Sequence, residues 1–145
     1  MDLNKKAETF KKYLEEKKIT CFKEEKVKDD ELNTVVFRSF IEADGQQLPT
    51  LVILDSSIYG MVRVKLANNV MKEERELALL KHINSINSKY KIFKYYFADD
   101  GSLLLDSYVL NQNGEVDCAM IFTVLDVIIK HVTGEYKNVM KEIWG

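Results

Sequence analysis

Apolar residues recur along this chain with two different periods, and the switches between them divide it into elements. Leu3, Ala7, Phe10 and Leu14 step by four, three and four, which predicts an amphipathic helix over residues 3–18 with Asp2 as its N-cap. From residue 20 the period drops to two. Residues 21–28, CFKEEKVK, alternate weakly with little to bury, the pattern of an edge strand. NTVVFRSFIEA is a much stronger strand, rich in β-branched and aromatic residues. Asp44-Gly45 signals a turn. Pro49, the only proline, is expected at the start of the next strand, TLVILD. After the turn SSIYG, the segment MVRVKL alternates cleanly and points Val62, Val64 and Leu66 inward. Four strands on short links predict an antiparallel meander.

Helical spacing returns over residues 70–88, with Leu79, Ile83 and Ile86 as the buried stripe, Leu80 alongside, and Asn87 and Ser88 as stop residues. Period two then resumes. Phe93, Tyr95 and Phe97 share one strand face, ADDGS reverses the chain, and Leu103, Leu105 and Val109 share a face of the returning strand. Ile121, Leu125, Ile128, Val132, Tyr136, Val139 and Ile143 then hold one helical register straight through Gly134. A glycine inside a helix costs only about 1 kcal/mol against alanine, so one long helix over residues 116–144 is expected. The order α-β-β-β(-β)-α-β-β-α predicts a single α+β domain over residues 1–145, with helices packed on an antiparallel sheet.

Composition narrows the function classes. Hydrophobic residues make up 46% and charged residues 30% of 145, a globular balance with enough length for one core. A net charge of −2 gives no global attraction to nucleic acid or anionic membrane. The longest greasy segment, VDCAMIFTVLDVIIKHV, is interrupted by Asp126 and Lys130, so no membrane span is expected. The charged start, MDLNKKAETFKKYLEEKK, is not expected to act as a secretory signal. Cys21 and Cys118 stand alone in the sequence, which suggests reduced thiols in a cytoplasmic protein.

The segment LALLKHINSINSKYKIFKYYFADDGSLLLDSYVL, followed by the long closing helix, resembles the YbjN-like family, which shares the fold of type III secretion chaperones. The resemblance is carried by the helix end INSIN, the aromatic strand, the turn Asp99-Asp100-Gly101 and the aliphatic strand after it. It covers most of the chain as a pattern and about sixty residues more specifically. It implies a bacterial protein with a tendency to dimerise and to bind protein, and it transfers no catalytic site. Asn87 matches the asparagine that recurs in the family near the end of the middle helix, where its short amide would cap the helix. Family members are described with three strands before that helix, whereas up to four are counted here: either CFKEEKVK is irregular or the sheet is wider than usual.

Candidate chemistry is sparse. His82 has no carboxylate or cysteine at helical spacing, His131 has a single one in Glu135, short of the three ligands a zinc site needs, and Cys118 falls on an apolar helix side, so no metal site, cofactor or catalytic group is expected. DDGSLLLDS lacks the alternating oxygen ligands of a calcium loop, and the glutamates of KEERE suit a helix start. On the closing helix, Val116, Met120, Val124, Val127 and His131 lie off the main stripe and form the candidate partner surface. Either another helix of the same chain covers them or they form a homodimer seam or client groove. The expectation is a non-enzymatic protein–protein interaction module, chaperone-like or regulatory. The alternative is single-stranded nucleic-acid binding through residues 81–97, where Lys81, Lys89, Lys91 and Lys94 interleave with Tyr90, Tyr95 and Tyr96.

Overall fold

The computed structural model describes residues 4–111 and 114–145. Its elements run α1 (Lys5–Glu16), β1 (Lys23–Lys26), β2 (Val35–Ala43), β3 (Gln46–Leu54), β4 (Tyr59–Ala67), α2 (Glu76–Lys89), β5 (Lys94–Phe97), β6 (Leu103–Leu110) and α3 (Cys118–Trp144). The α+β order expected from periodicity is the one observed. All six strands form one antiparallel sheet in the order β1-β2-β3-β4-β6-β5. The charged segment before β2 is a genuine strand and lies at the edge, so four strands precede α2. Lysine and glutamate suit that position, because an edge strand has little to bury and must not recruit a second chain.

Several boundaries differ from the sequence reading for identifiable reasons. Asp2 and Leu3 fall outside the described residues. The N-cap of α1 is Asn4, whose Oδ1 accepts from the Ala7 amide at 2.9 Å while its Nδ2 donates to the carbonyls of Asn33 and Leu54. Pro49 is not at the start of β3 but in the middle of it, opposite Phe40 of β2. Proline is tolerated there because the β3–β4 ladder begins only at Thr50, opposite Val64, so Pro49 leaves no gap in it. A short 3₁₀ turn, Glu73–Arg75, precedes α2, which therefore starts later than expected. The Arg75 guanidinium donates to the carbonyls of Ile143 and Glu142 and so caps the far end of α3. In the hairpin between β2 and β3, Asp44 and Gly45 both have positive φ, 51° and 77°, the two left-handed residues of a type I′ turn.

All three helices lie on one side of the sheet. Phe10 of α1 is fully buried, with its ring 4.8 Å from Phe37 of β2 and 5.8 Å from Phe122 of α3. The core joins these rings to Val52 and Leu54 of β3, Val62 and Val64 of β4, Leu103 and Leu105 of β6, and Leu79 of α2. On α3 the expected stripe is buried from Ile121 to Ile143, with Tyr136 half-buried, and the helix runs unbroken through Gly134. On α2, Leu79 and Ile83 are buried, whereas Leu80 faces solvent.

Asn87 does not cap its own helix. Its Oδ1 accepts from the Tyr95 amide at 2.8 Å, and its Nδ2 donates to the Tyr95 carbonyl at 3.0 Å. The carboxamide thus occupies the outward-facing backbone groups of edge strand β5 as a neighbouring strand would. The end of α2 is capped instead by Lys94, whose Nζ donates to the carbonyls of Asn87 and Tyr90, both at 2.7 Å. Asn87→Ala removes two hydrogen bonds to the edge strand and is expected to cost about 1–2 kcal/mol. Faster hydrogen exchange at the Tyr95 amide would confirm the clamp, and unchanged exchange there would refute it.

Candidate functional site

The face of the sheet turned away from the helices is uncovered, and its side chains follow from strand alternation. Residues that alternate with the core positions share this face, and the register aligns them in rows. One row runs Glu25, Val36, Ile53, Met61, Tyr108, and the next runs Lys23, Arg38, Leu51, Arg63, Asp106, Lys94. Beyond them Phe40 stands opposite Pro49, and Lys65, Leu104 and Tyr96 align; at the other end Tyr59 stands opposite Leu110. Val36 and Leu104 are buried by neighbours on this face alone and take no part in the helix-covered core. Phe40 is 63% exposed, Tyr108 56% and Leu110 68%, values that place large apolar groups in water on one contiguous surface.

At the centre of this face sits an ion pair. The Arg63 guanidinium donates from Nε to Asp106 Oδ1 at 2.8 Å and from one terminal nitrogen to Oδ2 at 2.9 Å, a bidentate fork. The same nitrogen donates to the Tyr96 hydroxyl at 2.7 Å, and the Tyr108 hydroxyl donates to Asp106 at 3.3 Å. Asp106 is only 4% exposed although no helix covers it, because Arg63 and the two tyrosines enclose it. The hydrogen bond from Arg63 to Asp106 holds the guanidinium above its already high ordinary pKa. The phenols of Tyr96 and Tyr108 are pushed up, first by burial and then by the Asp106 carboxylate, so both remain neutral hydroxyls at neutral pH. Exposed tyrosines and a half-buried methionine around a planar arginine match the composition found at the centre of protein interfaces.

The candidate residues on the closing helix separate. Val124 and His131 are buried in the core, Met120 and Val127 are exposed, and Val116 is half-buried ahead of the helix, which starts at Cys118 with Asp117 as N-cap. The five therefore do not form one open surface. The same chain covers two of them: Val124 joins the hydrophobic core, and the linker after α2 and strand β5 bring Tyr90, Phe93 and Tyr95 against His131. An aspartate at position 124 would place a carboxylate in the core and disrupt folding, whereas one at 127 would stay in solvent.

His131 bonds the Tyr95 hydroxyl through Nε2 at 2.7 Å. Burial lowers its pKa, opposed by the Glu135 carboxylate one turn along α3, and the same burial pushes the Tyr95 phenol up. The unfolded histidine takes up a proton below about pH 6.5, and the folded one only at lower pH. The contribution of His131 is therefore complete above that value and is lost as pH falls below it. The melting temperature is expected to fall on acidification, and His131→Phe should fall less over the same range. Equal falls in the two proteins would remove His131 as the cause.

The nucleic-acid alternative fares differently residue by residue. Lys81, Lys89 and Lys91 are exposed, but Tyr95 is buried, Tyr90 stacks on Phe93 with centroids 5.2 Å apart, and Lys94 is held by two backbone carbonyls. Tyr96 alone among the three tyrosines lies on the open face. The remaining candidates sit apart. His82 lies on α2 with its Nε2 buried and unpartnered. Cys118 is a buried free thiol whose pKa is raised by burial, and Cys21 is an exposed one.

Two features escaped the sequence reading. Lys6 is 3% exposed, and its ammonium donates to the carbonyls of Ser57 at 2.7 Å and Tyr59 at 2.9 Å, pinning the β3–β4 turn to α1. Nothing in its local sequence distinguishes it from neighbouring solvated lysines. The open face did leave a signal. Segments such as TLVIL and SLLLDSYVL are nearly continuous in apolar residues, which means that both faces of those strands carry apolar surface.

No helix among the described residues is long and apolar enough to cross a membrane. Compared with known proteins, the chain matches no protein-family model and no curated sequence.

Proposed function

We propose that this chain is a non-enzymatic protein-interaction module that docks its partner on the uncovered face of the sheet. The observation that carries the reading is the placement of three helices on one side while Phe40, Leu51, Met61, Tyr108 and Leu110 remain on the other. An unsatisfied apolar sheet face is costly in water and is stabilised by covering it. Because Arg63 and Asp106 already satisfy one another, a partner can dehydrate the centre of the face without stranding a charge. The resemblance to the YbjN-like family, with the fold of the type III secretion chaperones, supports the same class of function and a chaperone-like or regulatory role.

Photoreactive benzoylphenylalanine in place of Phe40 tests this reading. Crosslinks to polypeptide are expected from position 40 and not from position 127 on the exposed side of α3. Equal yields at the two positions, or none at position 40, would remove the sheet face as the interaction surface.

A further inference from the structure

We infer that the cleft between α1, the end of β6 and the start of α3 binds a small uncharged molecule with an amide-like donor–acceptor edge, a nucleobase or its nucleoside. The inference stands apart from the protein-interaction reading above. Asn111, just after β6, carries it. This residue is 5% exposed, and both carboxamide atoms, Oδ1 and Nδ2, are buried without a hydrogen-bond partner. The equally buried Asn4 has both groups bonded, and Asn87 pairs both of its groups with the N–H and C=O of Tyr95. A buried carboxamide with neither group met is costly, and a ligand that offers one donor and one acceptor side by side removes that cost.

Strand alternation turns Asn111 to the helix side of the sheet, in step with Val109, which packs on the core. Gly60 leaves room for the amide there, since a Cβ at that position would stand 3.2 Å from Nδ2. Asn111 lines a cleft of about 580 Å³, walled by Thr9 and Tyr13 of α1 and by residues 115–119 at the start of α3. That volume suits a molecule of nucleoside size. Among the described residues no lysine or arginine lines the cleft, whereas the Glu115 and Asp117 carboxylates do, so an anionic ligand is disfavoured. The same carboxylates suit the hydroxyls of a sugar, as acidic residues do at other nucleoside sites. The amides of Cys118 and Ala119 open α3 and have no acceptor within the helix, so they suit a ligand oxygen. Tyr13, stacked on Phe122 with centroids 5.5 Å apart, is a fixed aromatic wall for a flat ring. An asparagine reads adenine in this manner, Oδ1 accepting from the N6 amino group and Nδ2 donating to N7.

Calorimetric titration of the intact chain with adenosine and, separately, with adenine tests the site and tells nucleoside from free base. Saturable binding of at least one of them is expected, with a rise in melting temperature of about 5 °C at 100 times the dissociation constant. Asn111→Leu replaces the orphan amide with an apolar group of similar size. It should leave the unliganded chain at least as stable and weaken binding at least about 30-fold. If that variant misfolds, Ala119→Phe, at an exposed position on the cleft wall, decides the matter: circular dichroism should be unchanged and binding weakened by a similar factor. Adenosine monophosphate is expected to bind at least about tenfold more weakly than adenosine, because its phosphate meets the two carboxylates. Binding of neither adenine nor adenosine would overturn the inference. So would binding that survives Asn111→Leu or Ala119→Phe in a folded chain, or binding that the phosphate strengthens.

Discussion

Phe10→Ala is expected to destabilise the chain by about 3–5 kcal/mol, the range for removing a fully buried aromatic ring. The position is severe because one side chain joins three elements. Its ring lies 4.8 Å from Phe37 on β2, 5.8 Å from Phe122 on α3 and 6.0 Å from Phe22 ahead of β1. Edge-to-face and stacked pairs add to the burial gain, and the neighbouring rings cannot collapse into the space because they are anchored on separate elements. Phe10→Leu keeps most of the volume and should cost less than about 1.5 kcal/mol. Urea unfolding measures both. A midpoint shift for Phe10→Ala no larger than that of the leucine variant would mean that α1 is not docked as described.

Arg63→Met is expected to cost about 2–4 kcal/mol, because it leaves the Asp106 carboxylate enclosed without its partner. The lower end of that range allows for the partial exposure of the arginine, which lets water reach part of the site. Arg63→Met combined with Asp106→Leu should recover most of the loss, since an apolar pair of similar volume leaves no charge unsatisfied. Arg63→Lys should fall between them, because a lysine cannot make the bidentate fork. If the double variant is no more stable than Arg63→Met alone, the pair is not the reason Asp106 is tolerated there.

The sequence was informative wherever a signal is local. Periodicity located the α-helices and the five stronger strands of the described residues and left open the weak edge strand over KEEK, and it carried α3 through Gly134 because a single glycine costs less than the stripe around it gains. The turn at Asp44-Gly45 was legible from its dipeptide, since few residues accept positive φ. Periodicity also sorted residues onto faces, so Val62, Val64 and Leu66 were placed inward correctly. What it does not contain is the identity of whatever lies against a face. Val124 and His131 were assigned to a surface by their angle on the helix, yet both are buried, His131 under Tyr90, Phe93 and Tyr95 after the chain has passed through α2 and β5. Asn87 was read as a cap because its nearest orphan groups in sequence are those of its own helix, whereas folding brings the Tyr95 backbone closer. The buried lysine and the Arg63–Asp106 pair depend on partners dozens of residues away, beyond any helix or strand repeat. The apolar content of the strands determined that both sheet faces would be greasy. Only the tertiary arrangement decided that the helices cover one of them and leave the other open, because the three helices of the described residues all pack on the same face.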